Sequence, residues 1–160
     1  MKALIPGSFD PITIGHMDLI RRTAAVFDEV WVVEMKNSAK QYLFSEQERL
    51  LCLRTALSGF PNVKVDAYDG LLADYASIHS IHTVVKGVRN FTDFEYETQM
   101  AQCNHALFPA LQTLFLPAAP HLQFISSTFV RTLLQDGKDV SAYLPSEITS
   151  LPFFQKFQKA

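Results

Sequence analysis

The chain has 160 residues, 48 % of them hydrophobic and 19 % charged, and carries a formal net charge of -2 at pH 7. A chain of this length buries enough apolar surface to fold as a single domain, which we expect to span 1–160, and this composition excludes intrinsic disorder. The near-neutral charge supplies no basic surface, so nucleic acid is not expected as a partner.

The N-terminal residues and one long uncharged segment bear on export and on membrane contact. The first residues form an apolar run with no charged leader or cleavage site, so we expect a cytoplasmic protein without an export signal. The segment from Thr98 to Val130 has no charged residue, but prolines and amides interrupt it, which predicts protein core rather than a membrane span. Cys52 and Cys103 lie outside any CxxC pair and are expected to be buried thiols.

The stretch GSFDPITIGH at 7–16 is the first candidate site. It follows an apolar run at 3–5 and precedes an amphipathic helical pattern, so it lies between a strand and a helix, where α/β folds bind nucleotides. Its two glycines allow a ligand to approach the backbone, and Ser8 offers a hydroxyl. His16 falls in the first turn of the helix, where free N–H groups favour an anion. The stretch therefore predicts a phosphate site.

Hydrophobic periodicity predicts an alternation of strands and helices along the rest of the chain. The predicted strands are Ala3 to Ile5, Val30 to Val33, Val63 to Ala67, Thr83 to Lys86 and Leu111 to Leu116. The predicted helices are Met17 to Phe27, Ser45 to Gly59, Gly70 to Ile78, Thr92 to about Leu107 and Phe129 to Leu134. This order predicts an α/β fold with a doubly wound, five-stranded parallel sheet.

Two helix starts and the C-terminal segment carry further signals. Ser45 with Glu48, and Thr92 with Glu95, have the spacing of capping boxes. A helical segment is expected from about residue 139. The aromatic stretch from Leu151 to Phe157 either packs into the core or forms a subunit contact.

Parallel strands end at one edge of a sheet, so the loops that follow them converge there. These loops bring cations, hydroxyls and one carboxylate together, a combination that suits a polyphosphate. The residues concerned are Ser8, His16, Lys36, Lys40, Lys86, Arg89, Glu97 and Ser126 to Thr128.

Each of these side chains also has a purely structural interpretation. His16 and the hydroxyls at 126–128 can cap helices, Lys40 can be solvated, and Glu97 can pair with Arg89. The spacing by itself therefore predicts an α/β protein that binds a nucleotide or phosphate, and it does not identify the substrate.

Four motifs resemble those of a known family. TIGH at 13–16, within a stretch that begins PGSFDP, is similar to the H/T-x-G-H motif of the nucleotidyltransferase superfamily. GVR at 87–89, DFEYE at 93–97 and FISST at 124–128 resemble signatures of one branch, the bacterial phosphopantetheine adenylyltransferases. The motifs occur in the family's order, and the resemblance covers essentially the whole chain.

The resemblance implies a Rossmann-like nucleotidyltransferase fold and transfer of AMP from ATP to 4'-phosphopantetheine. The products would be dephospho-coenzyme A and pyrophosphate, formed by direct in-line attack without a covalent intermediate. Because the attacking phosphate is already an anion, positioning and charge stabilisation are sufficient for such a reaction. The resemblance further implies Mg²⁺ that accompanies ATP, a homohexamer, and coenzyme A as a feedback inhibitor.

Carried over to this chain, the family's pattern makes His16 and Lys40 catalytic, His16 at the ATP phosphates and Lys40 at the phosphate of phosphopantetheine. No metal site made by the protein itself is expected. The ATP-binding positions are Ser8, Phe9, His16, Gly87, Val88, Arg89, Glu97, Leu122, Gln123, Phe124, Ile125, Ser126, Ser127 and Thr128. The phosphopantetheine-binding positions are Ser8, Lys40, Leu72 and Lys86.

Two positions depart from the branch. Ser8 replaces a threonine and keeps the hydroxyl, whereas Lys86 replaces an arginine and loses the planar, bidentate guanidinium. The second change predicts retained activity with weaker or less oriented phosphopantetheine binding. Two alternatives stay open: another activity of the superfamily, with nicotinamide mononucleotide or glycerol phosphate as acceptor, and a nucleotide-binding regulator that has lost catalysis.

Overall fold

The structure is a computed structural model that describes residues 1–37 and 40–157. Within these residues the strands are β1 (Lys2–Gly7), β2 (Glu29–Met35), β3 (Val63–Tyr68), β4 (Thr83–Val88) and β5 (Gln112–Pro117). The helices are α1 (Ile14–Ala24), α2 (Glu46–Ala56), α3 (Leu72–Ile78), α4 (Phe91–Leu107), α5 (Ser127–Gln135) and α6 (Pro152–Gln155).

The strands form one parallel sheet in the order β3-β2-β1-β4-β5, which confirms the predicted doubly wound architecture. The chain moves outward from β1 in one direction and then returns to β4 on the other side. Loops that leave β1 and β4 therefore diverge, and a crevice opens between them at the carboxyl edge of the sheet.

Both faces of the sheet are covered, as the continuous apolar runs predict. Ala3 and Ile5 of β1 belong to a buried cluster that includes side chains of α1, α2 and α5. Leu4 points to the opposite face and packs in a second cluster with Tyr75 of α3. Alternate side chains of β1 thus point to opposite faces of the sheet, and each set packs against one of the two layers of helices.

Helix starts agree with the sequence at some positions and differ at others. Ser45 and Glu48 form the predicted capping box at α2. The second predicted box, Thr92 with Glu95, is wrong: Asn90 is the N-cap of α4, and its side chain accepts the Asp93 N–H at 2.9 Å. The amide of Asn90 already satisfies this N–H, so α4 begins one residue earlier than Thr92.

Burial corrects two further expectations. Cys52 is buried, but Cys103 is exposed on α4, whose only buried residue is Asn104. The uncharged segment from Thr98 to Val130 is therefore only partly core, and Phe124 within it is 59 % exposed. No helix in the described part of the chain is long and apolar enough to cross a membrane.

The aromatic C-terminal stretch packs into the core. The rings of Phe153, Phe154 and Phe157 lie 5.5, 5.1 and 5.8 Å from the ring of Phe44, measured between centroids. After residue 139 the described chain contains two short 3-10 turns, Ser141–Tyr143 and Ser146–Ile148, followed by α6. The segment at 36–43, which carries Lys36 and Lys40, has no regular element where it is described, and residues 38 and 39 lie outside the described residues.

The turn after β1 requires glycine at position 7. Phe9 has a φ of 46°, in the left-handed region, and its side chain is buried. Its ring lies directly over Gly7, so a Cβ at that position would be only 2.9 Å from Phe9 Cζ. Any larger residue at position 7 must displace the Phe9 ring from its place in the core.

We predict that Gly7→Ala destabilises the protein by about 1–3 kcal/mol, because the Phe9 ring has to move within a packed environment. Urea unfolding would measure this loss. Gly59→Ala is the matched control: a Cβ at Gly59 would meet no atom within 4 Å, and its free energy of unfolding should stay within about 0.5 kcal/mol of wild type. Equal stability of the two variants would contradict the packing argument.

Candidate active site

A cavity of about 1040 Å³ opens at the carboxyl edge of the sheet, in the crevice between the loops after β1 and β4. It is at the upper end of the range for small-molecule sites, roughly 300–1,000 Å³. The site residues named from the sequence that line it are Ser8, Phe9, His16, Lys36, Lys40, Leu72, Lys86, Gly87, Arg89, Glu97, Leu122, Ile125, Ser126, Ser127 and Thr128.

Three of the named residues do not line the cavity: Val88, Gln123 and Phe124. Val88 is the last residue of β4, between two lining residues, and successive side chains of a strand point to opposite faces. The Phe124 ring instead contacts the rings of Phe129 and Tyr143. Their assignment to the nucleotide site stays a prediction.

His16 is held by the cap of α1. Thr13 is the N-cap, and its backbone N–H donates to Nδ1 of His16 at 3.0 Å. Because Nδ1 accepts this hydrogen bond, the imidazole proton is assigned to Nε2. The helix-capping interpretation of His16 and the functional one are thus compatible, since one ring nitrogen serves the cap and the other is left for a ligand.

The imidazole is neutral under ordinary conditions. Burial, and secondly the positive charge of Arg89, lower the pKa of His16 from 6.5 to about 4. A neutral ring with its proton on Nε2 donates a hydrogen bond to a phosphate oxygen but does not bring a positive charge. The positive charge of the site therefore comes from its lysines and arginines.

Lys40 connects the loops after β1 and β2. Its ammonium donates to Ser8 Oγ at 3.3 Å, and its backbone N–H donates to the carbonyl of Asn37 at 3.0 Å. The side chain is exposed to the cavity. A single anion at this point can contact both the ammonium of Lys40 and the hydroxyl of Ser8.

The carboxylates on α4 pair with cations of β4 and its loop. Lys86 Nζ lies 3.1 Å from Glu97 Oε2, and both side chains are about one-fifth exposed. Glu97 Oε2 has no hydrogen-bond partner at a suitable angle among the described residues, so this contact is an ion pair only. The expected structural pair of Glu97 with Arg89 is wrong. Arg89 forms a two-point contact with Asp93, at 2.8 and 3.2 Å, because that carboxylate is one turn along the same segment.

The sequence did not identify the side chains that connect the segments bordering the cavity. Asp10 is buried, and its carboxylate accepts the backbone N–H groups of Leu43 and Phe44 at 2.9 and 3.0 Å. Arg131 of α5 donates to the Asp10 carbonyl at 2.8 Å and to Thr128 Oγ1 at 3.1 Å. The contacts of Asp10 with Leu43 and Phe44 and with Arg131 span distant parts of the chain, and the only local signal was the position of Asp10 inside the opening motif.

The start of α5 is fixed against the same loop. Ser126 is the N-cap and accepts the Phe129 N–H at 3.0 Å, as its structural interpretation predicts. Ser127 donates from Oγ to the carbonyl of Pro11 at 2.8 Å. The first N–H groups of α5 therefore lie beside the cavity, where a helix N-terminus favours an anion.

No three His, Cys, Asp or Glu side chains gather as a metal site within residues 1–37 and 40–157. The two histidines that are three apart, His79 and His82, belong to aromatic contacts. The His79 ring lies 4.3 Å from the ring of Tyr75, and the His82 ring lies 5.6 Å from that of Phe108. Their role in the described structure is packing.

Residues 4–133 match the family model described as cytidylyltransferase-like. A relative from Caldanaerobacter subterraneus subsp. tengcongensis, named phosphopantetheine adenylyltransferase, is 42 % identical over 158 residues, which are 99 % of this chain and 98 % of that protein. A relative of the same name from Campylobacter curvus is 43 % identical over 150 residues, 94 % of this chain and 96 % of that protein.

A solved structure supports the fold. It comes from Vibrio parahaemolyticus and is described as a candidate nicotinate-nucleotide adenylyltransferase. It aligns with a TM-score of 0.66 at 19 % identity, over 98 % of this chain and 90 % of that one. At this identity the likeness shows a shared α/β architecture and no more.

We predict that the His16 ring titrates near pH 4 in the folded protein. Its ring-proton NMR shift should stay constant from about pH 8 down to pH 5, since burial disfavours the imidazolium. Arg89→Met should move the midpoint upward but leave it below the usual 6.5, because burial is the larger cause. A wild-type midpoint near 6.5 would contradict this account.

The lowered pKa of His16 also determines how the stability of the folded protein changes with pH. The unfolded chain takes up a proton at His16 near pH 6.5, while the folded protein resists protonation until about pH 4. The contribution of this group to stability is therefore complete above pH 6.5 and is lost as the pH falls towards 4.

Proposed function

The chain belongs to the phosphopantetheine adenylyltransferase branch of the cytidylyltransferase-like family, and we propose that it transfers AMP from ATP to 4'-phosphopantetheine. The products are dephospho-coenzyme A and pyrophosphate. The observation that carries this proposal is the 42 % identity to a relative of that name over 99 % of the chain. The motifs at 13–16 and 87–89 contribute residues to one cavity, which supports the same conclusion.

The reaction is a direct displacement at the α-phosphorus of ATP. An oxygen of the acceptor phosphate forms the new P–O bond while the bond to the β-phosphate bridging oxygen breaks, and pyrophosphate leaves with that electron pair. The acceptor phosphate is ionised at pH 7, since its second pKa is about 6, so no side chain has to remove a proton. The protein contributes positioning and charge stabilisation.

His16 serves the ATP phosphates as a neutral hydrogen-bond donor. Its ring is oriented by the Thr13 N–H, and the low pKa keeps Nδ1 free to accept that bond. A donor on Nε2 strengthens its hydrogen bond as charge accumulates on the oxygens around the α-phosphorus. The role assigned to His16 thus needs no proton transfer.

Lys40 and Ser8 hold the acceptor phosphate. The 3.3 Å contact between them puts one cation and one hydroxyl at the same point of the cavity. Lys86 of β4 supplies a second cation for the acceptor phosphate, and its ion pair with Glu97 holds the ammonium in position. Leu72, at the start of α3, supplies apolar surface for the pantetheine arm.

ATP takes the neighbouring part of the crevice. Gly87, Arg89 and Glu97 approach it from β4 and α4, and residues 122–128 approach it from the loop that leads into α5. The free N–H groups at the start of α5 suit a phosphate. Mg²⁺ accompanying ATP would offset part of the negative charge of the nucleotide's phosphates and would need no ligands from the protein.

Other properties stay predictions from the family resemblance: a homohexamer, feedback inhibition by coenzyme A, a single domain over 1–160 and a cytoplasmic location. Exposed apolar side chains, among them Phe91, Leu107 and Leu114, are available for subunit contacts. Size-exclusion chromatography with light scattering measures the number of subunits directly.

A pyrophosphate-release assay tests the proposed function. With ATP, we expect release with 4'-phosphopantetheine and none with nicotinamide mononucleotide or glycerol phosphate. His16→Ala should lower turnover by about 100-fold or more, the loss typical for removal of a donor to transition-state charge. Activity only with another acceptor would favour the alternative enzyme, and silence with all acceptors would favour a regulator without catalysis.

Lys86→Arg tests the departure at position 86. We predict that it lowers the KM for 4'-phosphopantetheine several-fold, because the guanidinium binds a phosphate at two points and the ammonium at one. Lys64→Arg, on β3 and paired with Glu29, is the control for the same chemical change outside the cavity. An unchanged KM and turnover in Lys86→Arg would remove this explanation of the departure.

A further inference from the structure

A buried ion pair lies directly behind the loop that carries Lys40. Glu34 is in β2, beside Gly7 of β1 in the sheet, and Arg49 is in α2. Arg49 Nη2 lies 2.5 Å from Glu34 Oε1, and the two side chains are only 3 % and 1 % exposed. Neither residue lines the cavity, so neither is placed to contact a substrate.

The guanidinium of Arg49 makes its other contacts with the segment that contains Lys40 and leads into α2. Nη1 donates to the carbonyl of Phe44 at 2.6 Å. The planar group stacks on the ring of Tyr42, with 3.9 Å between Cζ and the ring centroid. A planar cation satisfies a carboxylate, a carbonyl and an aromatic face at once, which an ammonium cannot do.

Tyr42 passes this restraint on to Lys40. Its hydroxyl accepts the backbone N–H of Asn37 at 2.7 Å and donates to the carbonyl of Asn37 at 3.3 Å. The Lys40 N–H donates to that same carbonyl at 3.0 Å, and the Lys40 ammonium then reaches Ser8 Oγ. A continuous series of contacts therefore leads from Glu34 through Arg49 and Tyr42 to Lys40.

Stability alone gives a poor reason for such a pair. The cost of removing two charges from water cancels most of their attraction, and apolar residues of similar volume often replace a buried pair without loss. Apolar residues would not, however, hold the Phe44 carbonyl or order the Tyr42 ring. The specific consequence of Glu34 and Arg49 is the placement of the loop.

We propose that the Glu34–Arg49 pair positions Lys40 for the acceptor phosphate, acting through Tyr42. Both are positioning residues, and neither touches the reacting atoms. The proposal rests on the proposed function for the identity of the acceptor, 4'-phosphopantetheine. It adds a determinant of acceptor binding that lies outside the cavity.

The test replaces both charges together, so that no single buried charge is left unpaired. In Glu34→Leu/Arg49→Met we expect the KM for 4'-phosphopantetheine to rise about 5-fold or more and the KM for ATP to stay within about 2-fold. Tyr42→Phe, which leaves the ion pair intact, should raise the KM for 4'-phosphopantetheine about 3-fold. Because Tyr42 itself lines the cavity, the same variant in a Lys40→Ala background is its control: there Tyr42→Phe should not raise this KM further, and a further rise would show a direct contact instead of positioning.

The matched control is Glu29→Leu/Lys64→Met, which removes an ion pair at the opposite end of the same strand. It should leave both KM values unchanged. A rise in both KM values for Glu34→Leu/Arg49→Met, or no rise in either, would show that the pair is structural only and would overturn the proposal.

A double-mutant cycle asks whether the effect passes through Lys40. In a Lys40→Ala background, Glu34→Leu/Arg49→Met should change the KM for 4'-phosphopantetheine by less than about 2-fold, because the group that it positions is gone. If the KM rises by the same factor as in the wild-type background, the pair acts on the whole site and the proposal is wrong.

Hydrogen exchange separates this proposal from the proposed function. Backbone amides at 40–44 should exchange about tenfold faster in Glu34→Leu/Arg49→Met than in wild type, whereas the exchange rates of the strand amides should be unchanged. Wild-type protein that releases no pyrophosphate with 4'-phosphopantetheine would overturn the proposed function alone, and the exchange rates would still decide the positioning role. Equal exchange at 40–44 in the two proteins would overturn the positioning role.

Discussion

The carboxylate of Asp10 is the contact on which the arrangement of the site depends. It is 2 % exposed and accepts the backbone N–H groups of Leu43 and Phe44, while Arg131 lies 3.6 Å away and also holds the Asp10 carbonyl. One buried side chain thus joins the loop after β1, the segment that leads into α2, and α5. Without this contact, the sheet would still form, but the three segments that border the cavity would have no common attachment.

Charge in the cavity is arranged before any ligand binds. Lys86 forms an ion pair with Glu97, and Arg89 forms one with Asp93. The lowered pKa keeps the His16 ring neutral. Paired carboxylates hold the cations in place at little cost in reorganisation, which is the condition for effective stabilisation of developing charge. In the proposed function, the phosphate chain of ATP would compete with Glu97 and Asp93 for the same cations. The neutral ring adds a directed hydrogen bond and leaves the charge balance of the site unaltered.

Local patterns in the sequence predicted most of the fold, because they reflect local physics. Apolar runs identified the strands, and TIGH at 13–16 placed His16 in the first turn of the first helix, although that helix begins at Ile14 rather than at the predicted Met17. Prediction failed where two groups competed for one role, as at Thr92, where Asn90 takes the cap. It also failed where contacts join distant segments: Arg131 and Asp10 are 121 residues apart, and no periodicity records such a pair. The sequence therefore predicted most residues that line the cavity, but it did not predict the long-range contacts that hold the surrounding loops in place.

The aromatic stretch at the end of the described chain bears on how the protein is made. The rings at 153, 154 and 157 pack on Phe44, which directly follows the loop of Lys40. Synthesis proceeds from the N-terminus, so the sheet can assemble while these residues are still in the ribosome. The support beneath the Lys40 loop is completed only after they emerge. A nascent chain whose five strands have emerged therefore still lacks this support for the loop of Lys40.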